Sequence, residues 1–392
     1  MKRCRGRGLS FLVIFALLLA INPAASGQAG TFDIDVKAAI LIDADTGQVL
    51  YEKNADEVRA PASLVKIMTL LVVMDAVKAG QVSLSDEVRA SARAAGTGGS
   101  QVWLSAGEVH SLEKMLKAIA IASANDASVA VAEYISGTEA AFTTLMNARA
   151  RQLGLTKTVF GNADGLPAAA GEVPSTITAR EIAVVARELI NKHPEVLQWT
   201  STVTERFRDQ PLFIMYNTNS LVGKYDGLDG LKTGHTSEAG YNLVATAKRG
   251  DVRVISVVLG ADSADQREQL TRSLLDYGLV RHAPVTVARD YVGDVRVRNA
   301  IPERVPVRVA EPVRVLQLRG ANVRIETRIE AAGASAPFDE GDRVGDYVVL
   351  LDGKEALRVP VYADTEVRAA NVFVRLWRAA RDFFVGLLPG SR

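Results

Sequence analysis

The chain is poor in the residues that build thiol and metal sites. Its 392 residues include four histidines and one cysteine, Cys4. Cys4 lies in a segment that we predict below to be an export signal, so the exported chain should have no thiol and no disulfide. This excludes a cysteine protease and a zinc finger, and we predict neither a metal nor another cofactor.

An excess of charge of one sign is also missing. The chain has 46 Lys and Arg against 45 Asp and Glu, which gives a net charge of +1. No global field favours binding to nucleic acid, so we predict no nucleic-acid partner. With 48% hydrophobic and 23% charged residues, the composition is that of a globular protein long enough for two or three domains.

The apolar run near the N-terminus is short. It covers 13 residues, 9–21, whereas a membrane-spanning helix needs about 20. Four basic residues precede this run, and Asn22-Pro23 and the small residues 24–26 follow it. The pattern predicts a secretory signal peptide over residues 1–30 and therefore an exported protein. Together with the amphipathic tail described below, it predicts a protein that is peripheral on the outer face of the cytoplasmic membrane. An uncleaved membrane anchor is the alternative.

Residues 31–282 have strand patterns at their ends and helical patterns between them. The strand patterns cover residues 39–42, 49–51, 242–247 and 252–259. The helical patterns start at Ser63 and cover residues 64–77, 111–134, 139–153 and 178–192. The first helix is apolar on most sides, which is typical of a buried central helix. The arrangement predicts an α+β domain, an antiparallel sheet with a helical cluster.

Strict alternation replaces the helical patterns after residue 282. The sequence Val295-Arg296-Val297-Arg298 is one example of several, and Gly and Pro separate the short runs. This pattern predicts a small all-β sandwich over residues 284–364. Since it has no cluster of ionisable residues that resembles a site, we interpret it as a spacer or a docking module.

The last segment, residues 366–388, has the pattern of an amphipathic helix. At 100° per residue, its large apolar side chains fall on one arc of about 140°; they are Phe373, Leu376, Trp377, Ala380, Phe383, Phe384, Leu387 and Leu388. Arginines occupy the opposite side. An aromatic face backed by arginines predicts a helix that lies on a membrane surface. The alternative is a helix packed onto the sandwich.

A serine and a lysine lie three residues apart at the start of the predicted central helix. Residues i and i+3 share one helix face, so the amine of Lys66 can reach the hydroxyl of Ser63. Burial and a second cation, for which Lys232 is the candidate, would lower the pKa of Lys66. A second Ser-x-x-Lys pattern, Ser111 to Lys114, is interpreted as a helix N-cap with a solvated lysine.

Two further short motifs follow at wide separation. Ser123-Ala124-Asn125 is the only Ser-x-Asn in the chain, and Lys232-Thr233-Gly234 is the only Lys-[Ser/Thr]-Gly. The first lies at a predicted helix end or loop, and the second lies on a predicted strand. Either motif alone is an ordinary turn or surface feature. The three motifs in this order indicate acyl transfer through a serine ester.

With these residues the chain resembles the low-molecular-mass penicillin-binding proteins, which are serine-type D-alanyl-D-alanine carboxypeptidases. The likeness extends through residues 60–66, 121–127, 229–236 and 239–241, and it covers residues 31–282. The β-rich module and the amphipathic tail match the family's layout. The resemblance implies the penicillin-binding, β-lactamase-like fold. Asp164 departs from the family pattern, and we expect that departure to affect substrate fit, not the chemistry.

The resemblance also implies a role for each motif residue. Ser63 would attack the bond between two terminal D-alanines of a peptidoglycan stem peptide, and Lys66 would act as its base. Ser123 would relay a proton, and Asn125 would hold Lys66 and the substrate amide. The remaining predicted site residues would bind the substrate: Lys232 and Thr233 its terminal carboxylate, Gly234 by leaving it space, His235 through the oxyanion hole that its N–H forms with that of Ser63, and Arg267 as a further carboxylate contact. β-Lactam antibiotics would be covalent inhibitors.

Several other functions use the same motifs. A class A β-lactamase would need a glutamate about 35–40 residues after the Ser-x-Asn motif, and residues 156–161 contain no acid. A peptidoglycan D,D-endopeptidase would use the same residues and stays open. A transpeptidase would come with a larger partner module. An inactive wall-binding module would have lost a motif residue, and all are present.

Overall fold

The computed structural model describes residues 32–297, 299–331 and 335–386. The predicted signal peptide, and residues Leu387 and Leu388 of the predicted tail helix, lie outside these ranges. Contacts divide the chain into a unit that ends at Asp35 and a unit Val36–Arg392. Every element described below belongs to the second unit.

The helices and strands follow one another in two blocks. The α-helices are α1 Val65–Lys78, α2 Ala92–Ala95, α3 Leu112–Ala122, α4 Asn125–Ser136, α5 Glu139–Gln152, α6 Ala179–Lys192, α7 Val196–Thr200, α8 Ala264–Arg281 and α9 Val372–Gly386. The strands up to α8 are β1 Ala38–Asp43, β2 Val49–Lys53, β3 Glu87–Arg89, β4 Val109–Ser111, β5 Thr204–Asp209, β6 Leu212–Tyr216, β7 Leu228–Thr236, β8 Gly240–Arg249 and β9 Val252–Ala261. The later strands are β10 His282–Ala288, β11 Tyr291–Arg296, β12 Ala300–Ile301, β13 Arg304–Arg308, β14 Val313–Leu318, β15 Ile325–Ala331, β16 Arg343–Leu351, β17 Lys354–Ala363 and β18 Arg368–Ala369.

The first block is built on a five-stranded antiparallel sheet in the order β2-β1-β9-β8-β7. Residues 254–261 of β9 are all buried, so both faces of the sheet are covered. Helices α6 and α8 pack against the sheet. Helix α1 is buried at every residue from Val65 to Met74, as its apolar sequence predicts. Strand β7 forms one edge of the sheet and faces the start of this central helix.

The second block is all-β. Its main sheet has the order β11-β13-β17-β16-β15, and the pairs β10–β14 and β12–β18 lie beside it. Valines at alternate positions, such as Val305 and Val307 of β13, form its core. The side chain of Gln48 joins the two blocks: its Nε2 donates to the backbone oxygen of Leu316 at 2.8 Å, and the Leu316 N–H donates to its Oε1 at 2.7 Å. The predicted α+β fold followed by an all-β module is confirmed.

The structure differs from the sequence prediction at several elements. The helix predicted over residues 111–134 is two helices, because Ser123 has a left-handed backbone (φ 60°) that ends α3. The hairpin β5–β6 and helix α8 were not predicted. The tail helix begins at Val372 instead of residue 366, because Arg368 and Ala369 pair with β12. None of the helices within the described ranges is long and apolar enough to cross a bilayer.

Candidate active site

Ser63 lies in a single 3-10 turn, Ala62–Leu64, directly before α1. Ala62 has a left-handed backbone, with φ at 49°. Because α1 starts two residues after Ser63, the next turn of the chain brings Lys66 back beside the hydroxyl. The Lys66 Nζ donates to the Ser63 Oγ at 3.1 Å. The predicted serine–lysine pair is therefore in hydrogen-bond contact.

The amine of Lys66 is completely buried and has three acceptors. Besides Ser63 it donates to the Asn125 Oδ1 at 2.7 Å and to the backbone oxygen of Asp164. Burial lowers the pKa of Lys66 to about 8, although the carboxylates of Asp164 and Asp126 act in the opposite direction. Burial is thus the largest cause, as we expected, whereas Lys232, which we also expected to contribute, is not among the causes. A lysine with this pKa can release its proton near neutral pH.

The Ser-x-Asn motif occupies the junction of α3 and α4. Ser123 is 4% exposed and caps α3, and Asn125 is the first residue of α4. The Asn125 side chain donates to the backbone oxygen of Gly98 at 2.7 Å, and its N–H donates to that of Ser100 at 2.7 Å. A Cβ at Gly99 would lie 2.6 Å from the Asn125 Nδ2. The loop at residues 98–100 therefore holds Asn125 in the orientation that faces Lys66.

The third motif lies on the edge strand β7. Lys232 and Thr233 are 1% and 6% exposed. Burial lowers the pKa of Lys232 well below its usual value, and the charges of Lys66 and Arg267 lower it further. The Thr233 Oγ1 donates to the Thr218 Oγ1 at 2.7 Å. The Lys232 Nζ donates to the backbone oxygen of Thr233 at 3.0 Å. Lys66 and Arg267 are therefore both close enough to Lys232 for their charges to affect its amine.

Arg267, which the sequence offered only as a further carboxylate contact, lies on α8 beside this strand. Its side chain is buried, and its Nε is among the buried polar atoms of the described chain that have no hydrogen-bond partner. Burial lowers its pKa. Buried guanidinium nitrogens are normally paired, so this arrangement is suited to an anion.

The structure shows a second reason for a glycine at residue 234. We had expected it to leave space for the substrate, but a Cβ there would lie 2.9 Å from the Pro61 oxygen and 3.2 Å from the Ser63 nitrogen. The glycine lets β7 approach the turn that carries Ser63. His235 follows on the strand and is exposed, and its ring stacks on Tyr241 with 4.1 Å between centroids.

The sequence did not reveal how the Ser63 turn is held. Asn242 on β8 is completely buried and donates to the backbone oxygens of Ala60 at 3.3 Å and Pro61 at 3.2 Å. Its Oδ1 accepts from the Gly260 N–H at 2.8 Å. Asn242 thus ties the segment before Ser63 to the sheet. A buried Asn in an apolar strand is a detectable signal for such a role.

Asp164 contacts the serine–lysine pair directly. Its backbone oxygen accepts from Lys66, and the charge of its carboxylate acts to raise the pKa of that amine. We had connected this residue only with substrate fit. The neighbouring Gly165 has φ +83°, and a Cβ there would lie 2.0 Å from the Ala62 oxygen. The turn at residues 162–166 is therefore packed against the turn that carries Ser63.

The second Ser-x-x-Lys pattern is an N-cap, as predicted. The Ser111 Oγ accepts from the Lys114 N–H at 3.3 Å at the start of α3. The Lys114 amine lies 5.1 Å from the centroid of the Phe207 ring, so it is less solvated than we predicted. No group of three or more His, Cys, Asp or Glu that could hold a metal ion occurs among the described residues.

The fold and the three motifs define a serine–lysine hydrolase of the penicillin-binding type. The family model described as D-alanyl-D-alanine carboxypeptidase matches residues 23–263, and that of the penicillin-binding protein 5 C-terminal domain matches residues 283–369. The chain belongs to the D-alanyl-D-alanine carboxypeptidase family, and it is a serine-type enzyme of that family.

Curated relatives match most of the chain. D-alanyl-D-alanine carboxypeptidase DacF of Bacillus subtilis is 38% identical over 96% of this chain and 98% of its own. D-alanyl-D-alanine carboxypeptidase DacC of Escherichia coli is 35% identical over 94% of this chain and 93% of its own. The crystal structure of penicillin-binding protein 5 from Haemophilus influenzae covers 86% of this chain and 98% of its own, with a TM-score of 0.75 and 29% identity.

Proposed function

We propose that this chain removes the terminal D-alanine from peptidoglycan stem pentapeptides through an acyl-enzyme on Ser63. The observation that carries the proposal is the state of Lys66. Its amine is completely buried, lies 3.1 Å from the Ser63 Oγ and has a pKa lowered to about 8. A neutral amine at this position can accept the hydroxyl proton, which makes an otherwise weak nucleophile reactive.

The reaction then has two halves. The Ser63 Oγ attacks the carbonyl carbon between the two D-alanines and its proton passes to Lys66, while the N–H groups of Ser63 and His235 stabilise the oxyanion. Ser123 relays the proton to the leaving amine, and D-alanine departs. Asn125 holds Lys66 and the substrate amide. Water then hydrolyses the ester and restores Ser63.

Carboxylate recognition explains why the cut is made at the end of the peptide. Lys232 is buried with a pKa lowered well below its usual value, and the buried Nε of Arg267 has no partner. A terminal carboxylate would satisfy both cations. Thr233 would become a further donor when its hydroxyl, which donates to the Thr218 Oγ1 at 2.7 Å, turns to the carboxylate. We expect Lys232→Ala to lower kcat/KM for the pentapeptide roughly 10- to 100-fold. An unchanged kcat/KM would contradict this role.

β-Lactams should acylate the same serine. The structure of penicillin-binding protein D2 from Listeria monocytogenes was determined in an ampicillin-bound form; it is 34% identical to this chain, covers 63% of it and 99% of its own length, and has a TM-score of 0.58. The test is the intact mass of the protein after incubation with benzylpenicillin, together with the D-alanine released from a pentapeptide.

Two serine variants complete this test. Ser63→Ala should abolish both the one-drug adduct and the release of D-alanine. Ser111→Ala, in the second Ser-x-x-Lys pattern, should keep both. An adduct on Ser63→Ala would refute the assigned nucleophile, and hydrolysed drug without an adduct would favour a β-lactamase.

We also propose export by the segment 1–30 and attachment to the membrane surface through α9. The described apolar side chains Phe373, Leu376 and Trp377 of α9 are 82%, 64% and 64% exposed. Two arginines outside this apolar face contact the β-rich block: Arg378, on the opposite side, donates to the Ala300 oxygen at 2.7 Å, and Arg381, at the border of the face, contacts Glu303 at 3.3 Å. This combination supports the membrane proposal over the alternative of an apolar face packed onto the sandwich.

Two double variants test the attachment. Phe373→Glu with Leu376→Glu should release the exported protein from the membrane fraction. Val280→Glu with Tyr291→Glu changes exposed apolar residues outside the helix and should not release it. If the Phe373→Glu, Leu376→Glu variant stays in the membrane fraction, attachment through α9 is refuted.

A further inference from the structure

Asp164 is a buried acid that the proposed reaction does not use. Asp164 is 3% exposed, and burial raises the pKa of its carboxyl group, whereas the charge of Lys66 acts in the opposite direction and favours the carboxylate. Among the described residues, the one hydrogen bond to this carboxyl group comes from the Leu166 N–H, at 2.8 Å to Oδ1. Asparagine would supply the same acceptor without the cost of burying a charge. The negative charge is therefore what aspartate adds at this position.

The turn around Asp164 is fixed from three sides. The Asn162 side chain accepts from the Gly165 N–H at 2.7 Å and donates to the Leu166 oxygen at 2.8 Å. The Ala163 oxygen accepts from the Thr69 hydroxyl at 2.7 Å. Together with the close packing of Gly165 on the Ser63 turn, these contacts fix the direction of the Asp164 backbone oxygen toward Lys66.

Few other charges face these two groups. Asp126 on α4 is the other carboxylate that acts on Lys66, but it accepts the N–H groups of Val102 and Leu104, at 3.2 and 3.0 Å, and so also holds a loop. Lys232 on β7 lies close enough to Lys66 for the two charges to interact. Glu139 on α5 and Arg93 on α2 act on Asp164 with opposite signs, and they contact each other.

We propose that Asp164 is a positioning residue for the acylation step: its backbone oxygen orients the Lys66 amine, and its carboxylate keeps that amine basic enough to accept the Ser63 proton. Without a counter-charge, complete burial would make Lys66 a weaker base. With the counter-charge of Asp164, the Lys66 amine titrates near the pH at which the enzyme operates, which is the favourable condition for proton transfer. The inference rests on the proposed function of Ser63 and Lys66.

The test is the pH dependence of the second-order rate of acylation by benzylpenicillin. This rate reports the free enzyme and should rise with pH with a midpoint near the Lys66 pKa of about 8. In Asp164→Asn the Leu166 contact is kept and the charge is lost, so the midpoint should move about one pH unit lower. At pH 6, well below both midpoints, the variant should therefore acylate about tenfold faster than a curve with the same plateau rate and the midpoint of the unmodified protein would give.

A matched control separates charge from position. Thr69→Val removes the hydroxyl that holds Ala163 but leaves every charge in place. It should lower the plateau rate without moving the midpoint. Where Asp164→Asn fails to fold, Asp164→Ser removes the same charge with a smaller side chain and should give the same displacement.

The outcomes are distinct. A midpoint that moves to lower pH in Asp164→Asn supports the proposal. An unchanged midpoint with a lower plateau would reduce Asp164 to a structural residue and overturn it. An unchanged midpoint with slower hydrolysis of the acyl-enzyme would overturn it in favour of a direct base for deacylation. Absence of acylation in the unmodified protein would refute the proposed function itself.

Discussion

The two blocks of the molecule differ in where they keep their charges. Within residues 36–282 the buried side chains include Lys66, Lys232, Arg267, Asp126 and Asp164. Among the described side chains beyond residue 282, no Asp, Glu, Lys, Arg or His is buried. There the ions pair at the surface, for example Arg358 with Glu330 at 2.7 Å and with Glu355 at 2.8 Å.

The difference fits the proposal that the first block carries the reaction and the second supports it, and we call them the reactive and the supporting block. Burying a charge costs free energy that an apolar side chain of the same size would not cost. The first block carries that cost around Ser63, where low polarity lowers the pKa of Lys66 and Lys232. The second block is stabilised by an apolar valine core, and its surface ion pairs contribute little.

Removal of the buried base should have the largest effect. Lys66→Met keeps the length of the side chain and deletes the amine. The rate of acylation by benzylpenicillin should fall about 10²- to 10⁴-fold, because the Ser63 proton has no acceptor. The thermal midpoint of unfolding should fall little or rise, since a desolvated charge is replaced by an apolar group. A large fall in the thermal midpoint together with the fall in acylation rate would show that Lys66 is mainly structural.

A change in backbone packing near the buried charges should come next. Gly165→Ala places a Cβ 2.0 Å from the Ala62 oxygen at a residue with φ +83°, and we expect a loss of about 2–4 kcal/mol in the free energy of unfolding. Gly171→Ala has a similar backbone, φ +89°, with nothing within 4 Å. Its loss should be limited to about 1 kcal/mol. Equal losses in chemical denaturation would mean that the contact with Ala62 does not matter.

The buried Lys66 of the first block should make the free energy of unfolding depend on pH. The folded chain releases the Lys66 proton near pH 8, whereas the unfolded chain holds it until about 10.5. Because the unfolded state binds more protons in this window, the free energy of unfolding should rise with pH, by about 3 kcal/mol in total. Lys66→Met should lack this rise. The difference between the two denaturation profiles isolates this residue, and parallel profiles would contradict the depressed pKa.

A charge in the supporting block should matter least. Glu303 contacts Arg296 at 2.5 Å and Arg381 at 3.3 Å. Glu303→Gln should change the free energy of unfolding by less than about 1 kcal/mol and leave acylation unchanged. A slower acylation would show that the two blocks are coupled, and the contrast drawn above would fail.

Part of the fold was predictable because the relevant signals are local. The apolar sequence of α1 indicates a buried helix, and alternating valines indicate the β-rich block. Helix α8 was missed although its start has a capping box: the Ser263 Oγ accepts from the Gln266 N–H at 3.1 Å. The motif at Ser123 was predicted to lie at a helix end or loop, yet residues 111–134 were predicted as one helical pattern, because a left-handed serine has no distinctive sequence signal and tertiary contacts select it.

The sequence by itself determined which groups we propose to be reactive. Three motifs in one order identify Ser63 with Lys66, Ser123 with Asn125, and Lys232 to His235, because acyl transfer requires those functional groups at those spacings. The tertiary structure alone decided what surrounds them. Asp164 and Asn242 lie far from Ser63 in the chain. Nevertheless, the Asp164 backbone oxygen accepts a hydrogen bond from the Lys66 amine, and the Asn242 side chain holds the turn that carries Ser63. A pKa depends on burial and on neighbours brought together by folding, so no local pattern contains it.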